Sequence, residues 1–198
     1  MLRFPFLLSL SLLTGGCASV AGFNGLALDD DDGVYVSVPA VRQSQHHACG
    51  AASLAAVAAH WGVSLAEFKS RHPHLPDDTT GKDLQLLAED LGLRAFVYQG
   101  SFDDLRDNLG KGRPLIVMLP KPLLPSGGLI AAMLLNAWNQ VGFRPPHWVI
   151  VTGFLGEREV IVHDPASGPL LIKQENFRKW WAEMDNLCVL VAAPSTHR

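Results

Sequence analysis

The sequence has little charge and few cysteines, and both shortages exclude classes of protein. Charged residues make up 18% of the 198 residues and the formal net charge is −3, so the charge does not favour nucleic acid as a partner. Three cysteines are too few for a scaffold held together by disulfides. No repeat of fixed period is apparent, and low complexity is confined to the four aspartates at 29–32. One ordinary globular domain with a short leader fits this length.

Long hydrophobic runs are also missing, since none is long enough for a membrane-spanning helix. The N-terminal apolar run, residues 4–13, follows the positive charge of Arg3 and leads to small residues before Cys17, as in a secretory signal. The "TGGC" ending resembles a bacterial lipobox, which implies lipidation of Cys17; an ordinary signal peptide cleaved nearby is the alternative. We therefore expect a lipoprotein-type signal peptide at 1–17 and a flexible acidic tether at 18–33.

The two remaining cysteines lie in different settings. Cys49 begins the small-residue segment "CGAASLAAVAAHWG", which predicts a helix whose first-turn N–H groups and dipole favour a thiolate. Cys188 lies in the strand-like "LCVLVAA" and is interpreted as a buried core thiol, with a Cys49–Cys188 disulfide as the alternative. In an exported protein with several histidines, Cys49 is a candidate nucleophile.

Hydrophobic periodicity predicts helices early in the chain and strands later. After a strand at 34–41, helices are predicted at "CGAASLAAVAAHWG", at "SLAEFKSRH" with Ser64 as N-cap, within "DDTTGKDLQLLAEDLGL", and at "SFDDLRDNLGKG". Strands are predicted in "RAFVYQG", "RPLIVMLP", "HWVIVTGFLG", "EVIVHDP", "GPLLIKQ" and "LCVLVAA". This order favours an α+β domain over 34–194 with an antiparallel sheet.

One segment interrupts this pattern. Residues 120–146, bounded by prolines, separate two strands that are otherwise close neighbours in sequence, and their apolar part is too short to span a bilayer. We interpret the segment as a helical insertion. Packing on the core is its simplest role, and covering a cleft or touching a membrane is the alternative.

Eight histidines could serve as a base for the thiol, and their contexts separate them. His46 and His47 lie in a turn too close to Cys49 for their rings to reach round to the sulfur. The remaining histidines except His147 and His163 fall in a helix or in polar segments and are predicted to be surface groups: His60, His72, His74 and His197.

His147 and Asp164 are predicted to meet. His147 opens the apolar strand "HWVIVTGF", and Asp164 ends the next strand at a turn. Two consecutive antiparallel strands bring the start of the first to the end of the second, as a base and its orienting acid require. His163 points to the opposite strand face and is interpreted as a bystander.

From residue 34 to about 193 the chain resembles the bacteriocin-processing, double-glycine cysteine peptidases, a papain-like family. The resemblance is carried by Gln43, by "CG" at 49–50 with the small-residue helix, by "HWVIVTG" at His147 and by "DPASG" at Asp164. It implies a papain-like fold with Cys49 as nucleophile, His147 as general base and Asp164 as its orienting acid. It also implies Gln43 as the side-chain donor of the oxyanion hole, with Gln45 as the rival for that role.

The resemblance further implies an exported cysteine endopeptidase, a stand-alone lipoprotein form without an ABC transporter. It would act through a thioester, after Gly-Gly or in a leader-bearing secreted peptide, on a bacteriocin-like or fibre-forming partner. We expect a periplasmic location with a lipid anchor in the outer membrane, and no cofactor, metal, ATP or nucleic acid. Two departures, Ala48 in place of an acidic residue and the 120–146 insertion, leave alternatives open: an inactive papain-like binding module assisting secretion, or a cell-wall peptide hydrolase. The second is disfavoured because Gly50 stands where such hydrolases carry serine.

Overall fold

The computed structural model describes residues 33–43, 48–74, 78–121 and 145–194, and its elements are numbered over these residues. The helices are α1 (Cys49–His60), α2 (Leu65–Arg71), α3 (Gly81–Asp90), α4 (Phe102–Gly110) and α5 (Gln174–Ala182). The strands are β1 (Gly33–Tyr35), β2 (Arg94–Gln99), β3 (Leu115–Pro120), β4 (Pro146–Leu155), β5 (Glu159–Asp164), β6 (Gly168–Lys173) and β7 (Leu187–Ala192).

The strands form one antiparallel sheet in the order β2-β7-β3-β4-β5-β6, and β1 pairs with the second half of β4. The C-terminal strand β7 lies between β2 and β3, so the last part of the chain completes the centre of the sheet. Helices α1 to α3 precede most strands in sequence. The predicted α+β class with an antiparallel sheet is confirmed.

Side-chain caps define where three helices begin. Ser64 accepts a hydrogen bond from the Glu67 N–H at the start of α2, as the sequence predicts. Thr80 and Ser101 form capping boxes with Asp83 and Asp104, which satisfy N–H groups at the starts of α3 and α4. These starts are therefore encoded in the local sequence.

Apolar side chains form a core on each face of the sheet. Helices α1 and α3 cover one face, where Leu54, Val57 and Leu84 pack on Ile116 and Ile150. Helices α4 and α5 cover the other face; Leu105, Phe177 and Trp181 pack there on β3, β4 and β5, and Cys188 is also buried in this cluster. The two layers hold β4 rigidly between them, and β4 carries His147 at its start.

Strand β4 contains one extra residue relative to β5. Val151 pairs with Val162, whereas Gly153 pairs with Ile161, so Thr152 forms a β-bulge. The Thr152 hydroxyl donates to the Ile161 carbonyl at 3.3 Å, and the Thr152 carbonyl accepts from the Val36 N–H at 2.7 Å. The bulge shifts the register of every residue between Thr152 and the start of β4.

Two elements differ from their prediction. The strand expected at 34–41 is limited to Gly33–Tyr35, although Val36 and Val38 remain buried. Helix α5 was not predicted, because its sequence "QENFRKWWA" is mostly polar and its N-cap position makes no side-chain cap. It folds as a helix since Phe177 and Trp181, four residues apart, bury on the core.

The ends of the predicted insertion meet beside His147. Leu119 pairs with His147, and the Lys121 N–H donates to the Pro145 carbonyl at 2.8 Å. The chain therefore leaves and re-enters the described structure at one place, next to the start of β4. The body of the insertion, residues 122–144, lies outside the described residues.

Several other predictions also fall outside the described residues: the signal peptide with Cys17, most of the tether, and Gln45, His46, His47 and His197. Within the ranges that the structure describes, no helix is both long enough and apolar enough to cross a membrane.

Candidate active site

Cys49 is the first residue of α1, as the sequence predicts. Ala48 occupies the N-cap position without a side-chain hydrogen bond, and no acidic residue lies in the first turn. The positive end of the helix dipole therefore acts on the Cys49 sulfur without competition from a nearby carboxylate. Cys49 is 8% exposed, so its environment is largely protein.

Gly50 is enclosed by two residues of distant segments. A Cβ atom at Gly50 would overlap the Thr79 hydroxyl and would lie 2.9 Å from Cδ1 of Trp148. The Trp148 indole N–H donates to the Thr79 carbonyl at 2.8 Å, and the Ser53 hydroxyl donates to the Trp148 carbonyl at 3.3 Å. These contacts fix the start of α1 against β4, and they explain why the residue after Cys49 is glycine.

His147 and Asp164 form the pair that the sequence predicts. Nε2 of His147 donates to Oδ1 of Asp164 at 2.8 Å, and both residues are buried, with exposures of 3% and 8%. His147 also makes a side-chain hydrogen bond with Cys49. Because Nε2 is engaged by Asp164, Nδ1 is the ring nitrogen that faces the sulfur. The structure thus brings the three predicted residues together in one hydrogen-bonded chain.

The Asp164 carboxylate receives two further hydrogen bonds from the turn that follows it. The Ala166 N–H donates to Oδ1 at 2.8 Å, and the Ser167 hydroxyl donates to Oδ2 at 2.6 Å. Burial raises the pKa of Asp164, but the hydrogen bonds from His147, Ser167 and Ala166 outweigh burial and lower it to about 2. Asp164 is therefore ionised at neutral pH and holds His147 through a charged acceptor.

The surroundings favour a thiolate–imidazolium pair. Burial raises the pKa of the Cys49 thiol, but hydrogen bonds with His147 and with the backbone of Trp148 lower it below its ordinary value overall. Burial lowers the pKa of His147, but hydrogen bonds to Asp164 and Cys49 raise it to about 9. Both directions place the proton on the imidazole and the negative charge on the sulfur, which is the reactive form of a cysteine nucleophile.

Gln43 lies beside the same turn as Asp164. Its backbone N–H donates to the Pro165 carbonyl at 3.1 Å, and the Arg42 guanidinium donates to the Ala166 carbonyl at 3.2 Å. Oε1 of Gln43 is buried and has no hydrogen-bond partner in the described part of the chain. The structure therefore brings the segment of Gln43 next to the Asp164 turn.

A cavity of about 310 Å³ opens next to the start of α1. Gln43 and Ala48 both line it, so it extends from the predicted oxyanion residue to the residue that precedes Cys49. The remaining walls are mostly apolar and come from three segments: Ala40, Val41 and Arg42; Ala51, Ala52 and Ala55 of α1; and Leu65, Phe68 and Lys69 near α2. The cavity has the dimensions and polarity to accept side chains of a bound peptide.

The thiol of Cys188 and the rings of His60 and His72 lie away from this site. Cys188 is a free, buried thiol in β7, so the core interpretation is confirmed and the Cys49–Cys188 disulfide is absent. Both ring nitrogens of His60 lie 3.0 Å from backbone carbonyl oxygens. The prediction of a surface position for His72 is wrong, because its side chain is only 8% exposed and packs on Phe68.

Sequence reasoning missed the residues that support the site. Thr79, Trp148 and Ser167 contact Gly50 or Asp164 through the folded structure. A serine three residues after an aspartate in a proline-containing turn is a weak signal for a local side-chain hydrogen bond, and it applies to Ser167. Over the described ranges, no group of three or more histidine, cysteine, aspartate or glutamate side chains is arranged to hold a metal ion.

Several solved structures that are similar to this chain are peptidase domains. A double glycine motif protease from an AMS/PCAT transporter, in complex with its leader peptide, is 22% identical with a TM-score of 0.55, over 81% of this chain and 95% of that one. The peptidase domain of Streptococcus ComA, a bifunctional ABC transporter involved in quorum sensing, is 22% identical with a TM-score of 0.56, over 78% and 97%. A protein described as a C39-like peptidase from Bacillus anthracis is 17% identical with a TM-score of 0.63, over 84% and 100%. The fold is therefore that of the papain-like C39 peptidase domains.

The family model described as "Peptidase_C39 like family" matches residues 35–189. The chain belongs to this family, and the family supports cysteine peptidase as its activity. No curated protein matches the chain.

Proposed function

We propose that this protein is an exported cysteine endopeptidase that cleaves a peptide bond through a thioester acyl-enzyme. The observation that carries the proposal is the buried hydrogen-bonded chain from Cys49 through His147 to Asp164. In this proposal Cys49 is the nucleophile, His147 the general acid and base, and Asp164 the residue that orients and stabilises the imidazolium.

The proposed chemistry uses the Cys49 thiolate, the His147 imidazolium and two hydrogen-bond donors to the oxyanion. The Cys49 sulfur attacks the carbonyl carbon of the scissile bond, and the negative charge moves to the carbonyl oxygen. The Cys49 backbone N–H and the Gln43 side chain are the proposed donors to that oxygen. His147 gives its proton to the leaving amine, the C–N bond breaks and a thioester remains. Water then attacks the thioester carbon while His147 accepts its proton. The C–S bond breaks, the acid product leaves and the thiolate–imidazolium pair is restored.

We infer a substrate class from the family and from the site. Two of the structural neighbours are peptidase domains of transporters, and one of these was solved with a leader peptide bound. On that basis the proposed substrate is an exported peptide or protein cleaved after Gly-Gly. The cavity between Gln43 and α2 would hold side chains next to the cleavage site. The lack of room for a serine side chain at Gly50 weighs against the cell-wall hydrolase alternative.

The proposed location is the periplasm, with the protein held to the outer membrane by a lipid on Cys17. The sequence of residues 1–17 supports this proposal. Strand β1 begins at Gly33 opposite Leu155, at the end of β4 away from His147. A tether attached at Gly33 would therefore leave the cleft open to substrates.

A covalent probe tests the proposed activity. A peptide ending in Gly-Gly with a thiol-reactive group in place of the scissile bond should label the wild-type protein at Cys49. The Cys188→Ala variant is the matched control, because it removes the other described thiol without touching the site. It should be labelled like wild type, whereas Cys49→Ala should not be labelled and should not cleave a Gly-Gly peptide. Cleavage by Cys49→Ala would overturn the role of Cys49 as nucleophile. A wild-type protein that is neither labelled nor able to cleave the peptide would leave a papain-like binding module as the better interpretation.

A further inference from the structure

The turn after β5, residues 165–167, supplies most of the hydrogen bonds to Asp164. Oδ1 of Asp164 accepts from His147 at 2.8 Å and from the Ala166 N–H at 2.8 Å. Oδ2 accepts from the hydroxyl of Ser167 at 2.6 Å. Oδ1 thus accepts from both the imidazole and the backbone of the turn, whereas Oδ2 accepts from the Ser167 hydroxyl.

Oδ2 depends on Ser167 alone among the described hydrogen bonds. A carboxylate rotates easily about its Cβ–Cγ bond, since this torsion has broad, roughly twofold minima. The Ala166 N–H and the His147 ring both act on Oδ1, so they leave the plane of the carboxylate free to turn about that atom. A short hydrogen bond to Oδ2 removes this freedom.

Hydrogen bonds from the segment that precedes α1 hold the turn in place. The Pro165 carbonyl accepts from the Gln43 N–H at 3.1 Å, and the Ala166 carbonyl accepts from the Arg42 guanidinium at 3.2 Å. Ser167 therefore lies on a segment that is anchored to the chain leading into α1. Its hydroxyl is presented to Asp164 by the fold as well as by sequence proximity.

We propose that Ser167 is a positioning residue for the peptidase reaction: by holding Oδ2, its hydroxyl turns Oδ1 of Asp164 toward Nε2 of His147. The inference rests on the proposed function, because the His147–Asp164 pair matters only if His147 moves protons. In this proposal Ser167 acts on His147 only through its hydrogen bond to Asp164.

Three charged or titratable side chains lie on or beside the Asp164 turn, and each can affect a pH-dependent measurement. His147 on β4 bonds Asp164. His163 precedes Asp164 on β5 and interacts with its charge, and Arg42 on the segment before α1 bonds the Ala166 carbonyl and acts on His163. A change at Ser167 leaves all three in place. A shift in the pH profile of a Ser167 variant therefore reports on the Asp164 carboxylate itself.

Two substitutions at Ser167 and one control test the proposal. Ser167→Ala removes the hydroxyl, Ser167→Thr keeps it, and Ser70→Ala removes an exposed hydroxyl that donates to the Glu67 carbonyl within α2. The measurements are kcat and KM on a Gly-Gly peptide, together with the pH dependence of Cys49 alkylation by iodoacetamide. Alkylation needs no substrate and reports the thiolate directly.

We expect Ser167→Ala to lower kcat by about three- to tenfold with KM unchanged. This is less than the direct loss of a hydrogen bond to a charged group would give, because Ser167 acts on the reaction only through Asp164. The low-pH midpoint of Cys49 alkylation should rise by about half a pH unit or more, because a carboxylate turned away from Nε2 stabilises the His147 imidazolium less, and the imidazolium stabilises the thiolate. Ser167→Thr should restore both values, and Ser70→Ala should match wild type in both.

A wild-type kcat and an unshifted midpoint in Ser167→Ala would overturn the proposal, as would equal losses in the Ala and Thr variants. Failure of the proposed function itself would be seen in the wild-type protein alone. Its Cys49 would then be alkylated no faster than a free thiol at pH 6, whatever the Ser167 variants show.

Discussion

Asp164 shares a face of the sheet with His147 because strand β4 carries one extra residue. The register on the His147 side of the bulge pairs Ile150 with His163. Continuing it places Asp164 opposite Val149, and Val149 lies two residues from His147 on the same face. Without the bulge at Thr152, Asp164 would lie opposite Ile150, and His147 would point to the other face. The hydrogen bond of 2.8 Å between the two side chains depends on that single residue.

We expect substitutions of the two residues to differ in severity. His147→Ala should abolish peptide cleavage, because His147 is the titratable side chain that bonds Cys49 in the described part of the chain and can transfer a proton to the leaving amine. Asp164→Asn should retain measurable cleavage, since an amide oxygen can still accept from Nε2 and orient the ring, although it does not stabilise the imidazolium. Single-turnover cleavage of a Gly-Gly peptide measures both. Equal loss in the two variants would show that the charge of Asp164, rather than its orienting hydrogen bond, dominates.

Gln43→Ala should lower kcat by about a hundredfold or more and leave KM nearly unchanged, because an oxyanion donor binds most strongly in the transition state. Gln45→Ala, two residues along, is the matched control and should have a much smaller effect. Steady-state kinetics of the two variants on the same Gly-Gly peptide show which glutamine is the oxyanion donor. A damaging Gln45→Ala beside a harmless Gln43→Ala would move the oxyanion role by two residues.

Peptidase activity and alkylation should respond differently to high pH. Although burial lowers the pKa of His147, hydrogen bonds to Asp164 and Cys49 raise it to about 9. As the pH rises through about 9, His147 loses the proton that the leaving amine needs, so kcat/KM should fall. The thiolate persists there, so the rate of Cys49 alkylation should not fall. A parallel loss of both rates would indicate unfolding instead, which circular dichroism at each pH would detect.

Gly50→Ala should destabilise the fold, because the new methyl group would overlap the Thr79 hydroxyl and approach Trp148. Overpacking of this kind lowers the free energy of unfolding by about 1–3 kcal/mol. The matched control is Gly110→Ala at the end of α4, where a Cβ meets nothing within 4 Å. Thr79→Ala should partly restore Gly50→Ala, since it removes the overlapping oxygen. Denaturant unfolding of the wild type, Gly50→Ala, Gly110→Ala and the double variant Gly50→Ala/Thr79→Ala tests this, and full stability of Gly50→Ala would contradict it.

A Cys17→Ser substitution should release the protein from membranes if the lipid anchor is on Cys17. Fractionation of cells that express the two forms, with mass spectrometry for the lipid, measures the effect. Cys188→Ser is the matched control and should partition like wild type. Equal membrane recovery of Cys17→Ser would place the anchor elsewhere in the chain.

The sequence alone located the residues whose roles follow from their immediate neighbours. A cysteine at the start of a small-residue helix, a histidine that opens an apolar strand and an aspartate at the next turn can each be recognised within about ten residues. The helix caps at Ser64, Thr80 and Ser101 are equally local. The α+β class followed from the order of these elements, because short connections bring consecutive strands together.

Only the tertiary structure decided which side chains meet across long separations. Helix α5 forms because Phe177 and Trp181 are buried in the core, and its mostly polar sequence does not by itself predict a helix. Strand β7 enters between β2 and β3, and the Thr79 hydroxyl closes the space beside Gly50. Alternation along β4 shows that successive side chains change face, but it does not show that Thr152 is an extra residue relative to β5. The pairing of two strands determines that bulge, and pairing is a property of the folded sheet that no single segment contains.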